Sequence, residues 1–392
     1  MPTPTQKNSS KKAAEKNFIN KLKKVFLIFV GSFVLLLVVL FFFIQTNFFN
    51  KIVLSYTIKE INDSWRLKES RINVESIDGN ILTGLRLNNG DVTVKGDTLL
   101  KFGFLEVRYD ILGLLNKDII LRQVVLSNPQ INVTKVRDLK DSLVWNFEHL
   151  FAAEEEVKDT AVSEFDWGVV VEDLKIHNGY IRILEKKPNE IPIRKIEIAR
   201  IDEFNLTALD INNLELEFNA RYFPDDKNIN LKNLSFTTNS DFNLKKLAFE
   251  TKILKTDALT EISNLEIITD RTNLSAETLY MEGFNLFEEI SYENFKDNNV
   301  KINLVTKKFN FDDLTFFLPD IDFLDSTVSL DLKAEGKYGD VGIDKLILKT
   351  DNSYYNFTGR VKNLHEPSKL YLDITANELV IDPSDTKIIL PG

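Results

Sequence analysis

From Arg71 onward, apolar and polar residues alternate along the chain with a period of two. Asn213-Leu214-Glu215-Leu216-Glu217-Phe218-Asn219-Ala220 alternates without an error, as do Val328–Ala334 and Leu370–Ala376. Shorter runs of the same kind recur at Ile72/Val74, Leu85/Leu87, Val92/Val94, Leu100/Phe102/Phe104, Ile131/Val133, Phe204/Leu206/Ala208, Phe242/Leu244, Leu247/Phe249 and Tyr355/Phe357. Successive side chains of a strand point to opposite faces, so each run predicts a strand with one apolar face. Asn, Asp and Gly separate the runs, and the whole predicts antiparallel strands joined by short turns.

The segment before residue 71 follows other periods. Of the 20 positions from Val25 to Ile44, 18 are Val, Leu, Ile or Phe, interrupted only by Gly31 and Ser32. At 1.5 Å per residue such a run matches a hydrocarbon core of roughly 30 Å. Seven lysines and one glutamate precede it, and only Lys51 follows closely. That asymmetry predicts a cytoplasmic tail at 1–24, a transmembrane helix at 25–44 and a translocated body. A cleaved signal peptide has a shorter core and a small-x-small site, which Gln45-Thr46-Asn47-Phe48-Phe49 does not offer. Ile52, Tyr56, Ile61 and Trp65 then predict helix over 45–68.

One stretch in the body breaks the alternation. Leu143, Val144, Phe147, Leu150 and Phe151 form a helical stripe ahead of Glu154-Glu155-Glu156, which predicts a short helix near 141–158. The expected organisation is therefore an N-terminal β unit with flanking helices over 45–150, a linker at 151–166, and a repetitive β region over 167–392. An internal echo marks that region: Phe309–Pro319 aligns with Ile381–Pro391 at an offset of 72 residues. The repeat predicts a region that continues past Gly392.

Composition narrows the function classes. Residues 1–24 carry +6, so the net −10 of the chain leaves −16 on the remainder. Such an acidic body lacks the basic footprint of a nucleic-acid partner. There is no cysteine, hence no disulfide framework and no thiolate metal site. His149, His177 and His365 lack the spacing of a zinc helix, and no phosphate-binding loop or nucleophile elbow occurs. The sequence predicts neither an enzyme nor a cofactor or metal site.

An acidic, anchored body of half-apolar strands has two ways to satisfy its apolar face. Two sheets pack into a dry sandwich, or one long sheet curls so that the face lines a groove. At ~4.8 Å per strand, about 20 strands would make a trough on the order of 100 Å long. The candidate lining residues are Leu214, Leu216, Phe218, Val328, Leu330, Leu332, Leu370, Leu372 and Ile374.

The anchor followed by Val74-Glu75-Ser76-Ile77-Asp78-Gly79-Asn80-Ile81-Leu82-Thr83-Gly84-Leu85-Arg86-Leu87 resembles the opening of AsmA-like proteins, closest to the TamB branch. Val107–Leu115, Leu126–Val133, Asp313–Pro319, Ser329–Gly336 and Phe357–Val361 resemble the same branch in the same order. The resemblance implies a mainly β fold: an elongated antiparallel sheet curled into a hydrophobic, taco-like groove behind a transmembrane helix. It implies an inner-membrane protein of the cell envelope with a periplasmic body that conducts phospholipid, held by its acyl chains, toward the outer membrane. An Omp85-type outer-membrane partner also belongs to that branch, although the C-terminal domain used for it is not recognisable here. The alternative from a different class is a scaffold that assists assembly of outer-membrane β-barrel proteins by strand addition at a sheet edge.

Overall fold

The computed structural model describes residues 43, 46–64, 70–94, 96–137, 143–149, 167–184, 208–223, 226–240, 242–254, 259–283, 296–315, 327–363 and 367–388. Helix α1 (Asn47–Ser64) is followed by strands β1 (Arg71–Asn80), β2 (Gly84–Val94), β3 (Asp97–Asp110), β4 (Asp118–Ser127), β5 (Gln130–Arg137), β6 (Leu143–Trp145) and β7 (Gly168–Leu184). Strands β8 (Ala208–Phe223), β9 (Asp226–Thr238), β10 (Asn243–Leu254), β11 (Leu259–Thr269) and β12 (Asn273–Met281) come next. Strands β13 (Asn299–Asn310), β14 (Thr327–Lys337), β15 (Asp340–Lys349), β16 (Tyr354–Lys362) and β17 (Tyr371–Val380) complete the series.

These strands form one large, mostly antiparallel sheet. Each pairs with its sequence neighbour from β1 to β4 and again from β7 to β17. The junction between the two runs is parallel: β4 pairs with the first half of β7 and β5 with its second half. A parallel pair needs a long crossover, and residues 138–167 supply it. The sheet therefore runs unbroken across the interval expected to be a linker.

Several predicted strand breaks lie inside strands. Asn89, Asn128, Asn178, Asn213 and Asn264 all have φ between 48° and 53°. Asn tolerates this left-handed conformation better than other residues with a Cβ. Asn178, Asn213 and Asn264 fall at register shifts of the ladder, Asn89 lies within β2, and Asn128 with Pro129 divides β4 from β5. The bulges let apolar alternation resume on the same face after an extra residue. Thus Leu85/Leu87 and Val92/Val94 belong to one strand, and β7 reaches 17 residues.

The helix expected near 141–158 is a correction. Leu143–Trp145 is a short strand paired with Lys135–Arg137 of β5, and Asn146–His149 is a 3-10 turn. Asn146 explains the switch: its amide donates to Asn132 O and accepts from Thr134 N, fixing the turn to the sheet. Residues 150–166 lie outside the described residues. So does the span 25–44 except for Phe43, and no helix among the described residues is long and apolar enough to cross a membrane. The helix predicted over 45–68 is present as α1.

The echo at 309–319 and 381–391 is part of a four-strand repeat. Strands β11, β12 and β13 correspond to β15, β16 and β17. Seventeen residues join β12 to β13 and eight join β16 to β17, so the offset changes from 81 to 72 between them. Each unit closes with the same clamp. Thr269 Oγ1 donates to Asp313 Oδ2 at 2.6 Å and accepts from Thr272 N at 2.8 Å. In the second unit Thr350 Oγ1 donates to Asp385 Oδ2 at 2.5 Å and accepts from Ser353 N at 2.9 Å. The carboxylate following each unit's last strand thereby fastens that segment to the preceding hairpin turn.

Asp313→Ala leaves the buried Thr269 hydroxyl without its acceptor, at a cost of about 1–3 kcal/mol. Amide exchange in β11–β13 should accelerate while β1–β5 keep their protection. Hydrogen bonds from the Thr350 and Ser353 hydroxyls hold the Asp385 carboxyl below its ordinary value. A depressed carboxylate stabilises above its unfolded pKa and loses that contribution as pH falls through the folded one. Exchange at 350–353 should therefore rise below about pH 4, and an unchanged profile would remove Asp385 from the clamp.

Candidate functional site

Register brings apolar residues opposite apolar residues from one side of the sheet to the other. One row runs Ile77, Leu87, Leu105, Leu126, Ile176, Leu216, Leu234 and Leu247 across β1–β4 and β7–β10. It continues through Ile267, Leu274, Thr306, Leu330, Leu348, Tyr355 and Leu379 to β17. Of these 15 positions only Thr306 is not aliphatic or aromatic. A second row lies beside it: Leu85, Val107, Val124, Leu174, Phe218, Leu231 and Phe249. Beyond a bulge at Phe249 that row resumes with Leu265, Ala276, Leu304, Leu332, Leu346, Phe357 and Ala376.

These rows are not closed over by a second layer among the described residues. In the first row Ile77, Thr306 and Tyr355 are buried, Leu379 is exposed, and the remaining 11 are half-buried. Among the described residues the clusters of buried hydrophobic residues are small and separate: Val92/Val94/Leu99, Val300/Ala334/Val341 and Phe242/Leu244. A sandwich of this size would hold one contiguous core. The apolar face is instead a continuous surface that stays partly accessible at most of its positions.

Residues between the rows point the other way and carry the charge. Lys175 lies 3.7 Å from Glu217, which Lys232 approaches at 3.2 Å. Lys246 pairs with Glu266, Lys345 with Asp331, and Arg360 with Asp340. Arg182 forms a two-pronged pair with Asp210, and the Tyr180 hydroxyl donates to the same carboxylate at 2.9 Å. Partial burial and that carboxylate push the Tyr180 phenol up to about 12. Exposed pairs contribute little stability each. Their role here is to keep one face wet, which leaves the other as the unsatisfied surface.

The nine candidate residues divide by position. Leu216, Phe218, Leu330 and Leu332 sit in the two rows. Ile374 stands opposite Gly359 and Leu372 opposite Val361, extending the face to the outer strand, where they are 38% and 58% exposed. Leu214 and Val328 are only 8% and 5% exposed, so they serve packing. Leu214 is pressed against Gly179 and Pro129 beside the Asn213 bulge, and Val328 faces Phe309. Leu370 precedes β17 and is exposed.

The face is hollowed near its far end. A cavity of about 360 Å³ there is lined by Leu279, Met281, Val300, Ile302, Leu332, Ala334, Tyr338, Val341, Ile343 and Val361, together with the stem of Lys301. Ala334 and Gly359 stand opposite Ile343 on the two neighbouring strands. The volume falls within the range of small-ligand sites, and the lining offers an acyl chain apolar contact. Among the described residues, no group of three or more His, Cys, Asp or Glu converges as a metal site. No protein-family model matches the chain, and no curated protein matches it.

An apolar probe such as diphenylhexatriene should bind this cavity with enhanced fluorescence. Ile302→Trp should weaken that binding while the β-sheet circular dichroism is retained. Equal binding by both proteins would mean that the cavity does not admit apolar molecules.

Proposed function

We propose that the chain is a membrane-anchored lipid-transfer conduit of the AsmA-like type, closest to the TamB branch. Phospholipid acyl chains slide along the apolar face of the sheet, which is curled into a groove. The observation that carries this reading is the apolar row across fifteen strand positions, partly or fully accessible at twelve of them. At ~4.8 Å per strand the row is about 65–70 Å long.

The energetic case is direct. Exposing acyl chain to water costs about 0.8 kcal/mol per methylene, so a phospholipid with ~30 methylenes meets a barrier above 20 kcal/mol. A continuous apolar surface lowers that barrier at every step and needs no catalytic group. The bulges at Asn178, Asn213 and Asn264 support a curled sheet, because each bends and twists its strand. On this reading residues 25–44 span the inner membrane, the body is periplasmic, and lipid moves toward the outer membrane. The direction comes from outside the chain.

Leu216→Glu and Leu330→Glu each place a charge in the apolar row on half-buried sites, where the fold tolerates it. Each should abolish lipid co-purification and photo-crosslinking while leaving the sheet folded. Lipid capture unchanged in both variants would overturn the conduit.

A second reading is favoured by one observation. All ten residues of β17 are exposed, and among the described residues no strand pairs with its outer edge. A scaffold for outer-membrane β-barrel proteins would use that edge for strand addition, with an Omp85-type protein as partner. Crosslinks from β17 to nascent barrel strands, with none to lipid from the apolar rows, would select it over the conduit.

A further inference from the structure

Helix α1 has two apolar sides, and the sheet accounts for only one. Asn50 is buried and donates through Nδ2 to Gly79 O at 2.7 Å, at the end of β1. Near the start of β1, the Asn62 amide accepts from Ile72 N at 2.8 Å and donates to Ile72 O at 3.3 Å. Val53, Leu54, Ile58 and Ile61 are half-buried around the same side. Phe48, Ile52 and Tyr56, spaced four residues apart, form the opposite side and are 65%, 49% and 65% exposed.

The start of this helix is tied to the end of the apolar run. Thr46 caps it, accepting from Phe49 N at 3.2 Å through Oγ1 while donating to Phe43 O at 2.7 Å. Phe43, a member of the run 25–44, packs edge-on against Phe48 and Phe49 with ring centroids 6.4 and 5.5 Å apart. Gln45 and Thr46 alone separate Ile44 from the helix, and two residues reach at most about 7 Å. If the run lies in a bilayer, Phe48 lies at its boundary.

A second element marks the same end of the sheet. Asn50 reaches Gly79, Gly79 pairs with Leu85, Gly84 with Arg108, and β3 then ends in the 3-10 turn Ile111–Asn116. That turn is held by the Asp110 carboxylate, which accepts from Leu112 N. Leu112 and Leu115 project from it at 67% and 82% exposure.

We infer that Phe48, Ile52, Leu112 and Leu115 together seat this end of the sheet in the lipid interface, with α1 at the depth of the headgroups. The occupant is the membrane itself, because the covalent link to the apolar run and the Phe43 contacts bring it there. Aromatic and aliphatic side chains at that level bury their apolar parts in the boundary region. The first strands are thereby held against the surface that a lipid must leave. The inference rests on residues 25–44 being a membrane span, and it holds whether the apolar face carries lipid or not.

The chain has no cysteine, so single-cysteine variants report one position each. Full-length Leu36→Cys, Phe48→Cys, Leu112→Cys, Leu115→Cys and Asp351→Cys, labelled with bimane, are reconstituted in phospholipid vesicles containing lipids brominated near the headgroup and deep in the acyl chains. The expected result is loss of fluorescence at 48, 112 and 115 as well as at 36, with none at 351. Quenching at 36 alone overturns the interfacial seat and leaves the anchor standing. No quenching at 36 overturns both.

Discussion

A sheet holds a continuous apolar face only if every strand keeps its register, because a slip of one residue sends the whole apolar set to the opposite side. In this protein that constraint is met across fifteen strand positions. Leu216 is flanked by Ile176 and Leu234, and Leu348 by Leu330 and Tyr355. The charged pairs on the other face sit at the intervening positions, so the same register that aligns the leucines also aligns Lys with Glu. Both faces therefore depend on one set of backbone pairings.

An uncovered apolar face changes what the rest of the molecule must do. The ordinary stabiliser of a domain, a dry core, is confined here to a few small clusters. Local devices take over: the Thr–Asp clamps that close each four-strand unit, and the asparagine side chains of α1 on the edge of β1. Asn62 offers Ile72 an acceptor and a donor, as a neighbouring strand would. One edge of the sheet is thus occupied by α1, whereas among the described residues no strand pairs with the outer edge of β17.

Much of this was legible along the chain. Period-two alternation marked the strands, and it placed Leu216 with Phe218 and Leu330 with Leu332 on the apolar face because parity within a strand is a local property. Ile176, Leu234 and Leu348 obey the same rule and were missed, since a row becomes visible only when strands are laid side by side. Asparagine read as a turn signal because its left-handed preference serves hairpins and bulges alike. Leu143–Phe151 read as a helix because its stripe is real, but the pairing of Leu143–Trp145 with β5 and the hydrogen bonds of Asn146 override a local pattern.

What the sequence by itself determined is which side chains share a face within each strand, that a helix follows the apolar run, and that a unit repeats near the end. These follow from backbone periods and from short-range capping, which act over a few residues. Only the tertiary structure decided that the apolar runs meet as rows across the sheet, that Leu214 and Val328 are packed away, and that no second layer covers the rest among the described residues. Those outcomes depend on register between segments distant in sequence, set by bulges and hairpin closures that no single run contains.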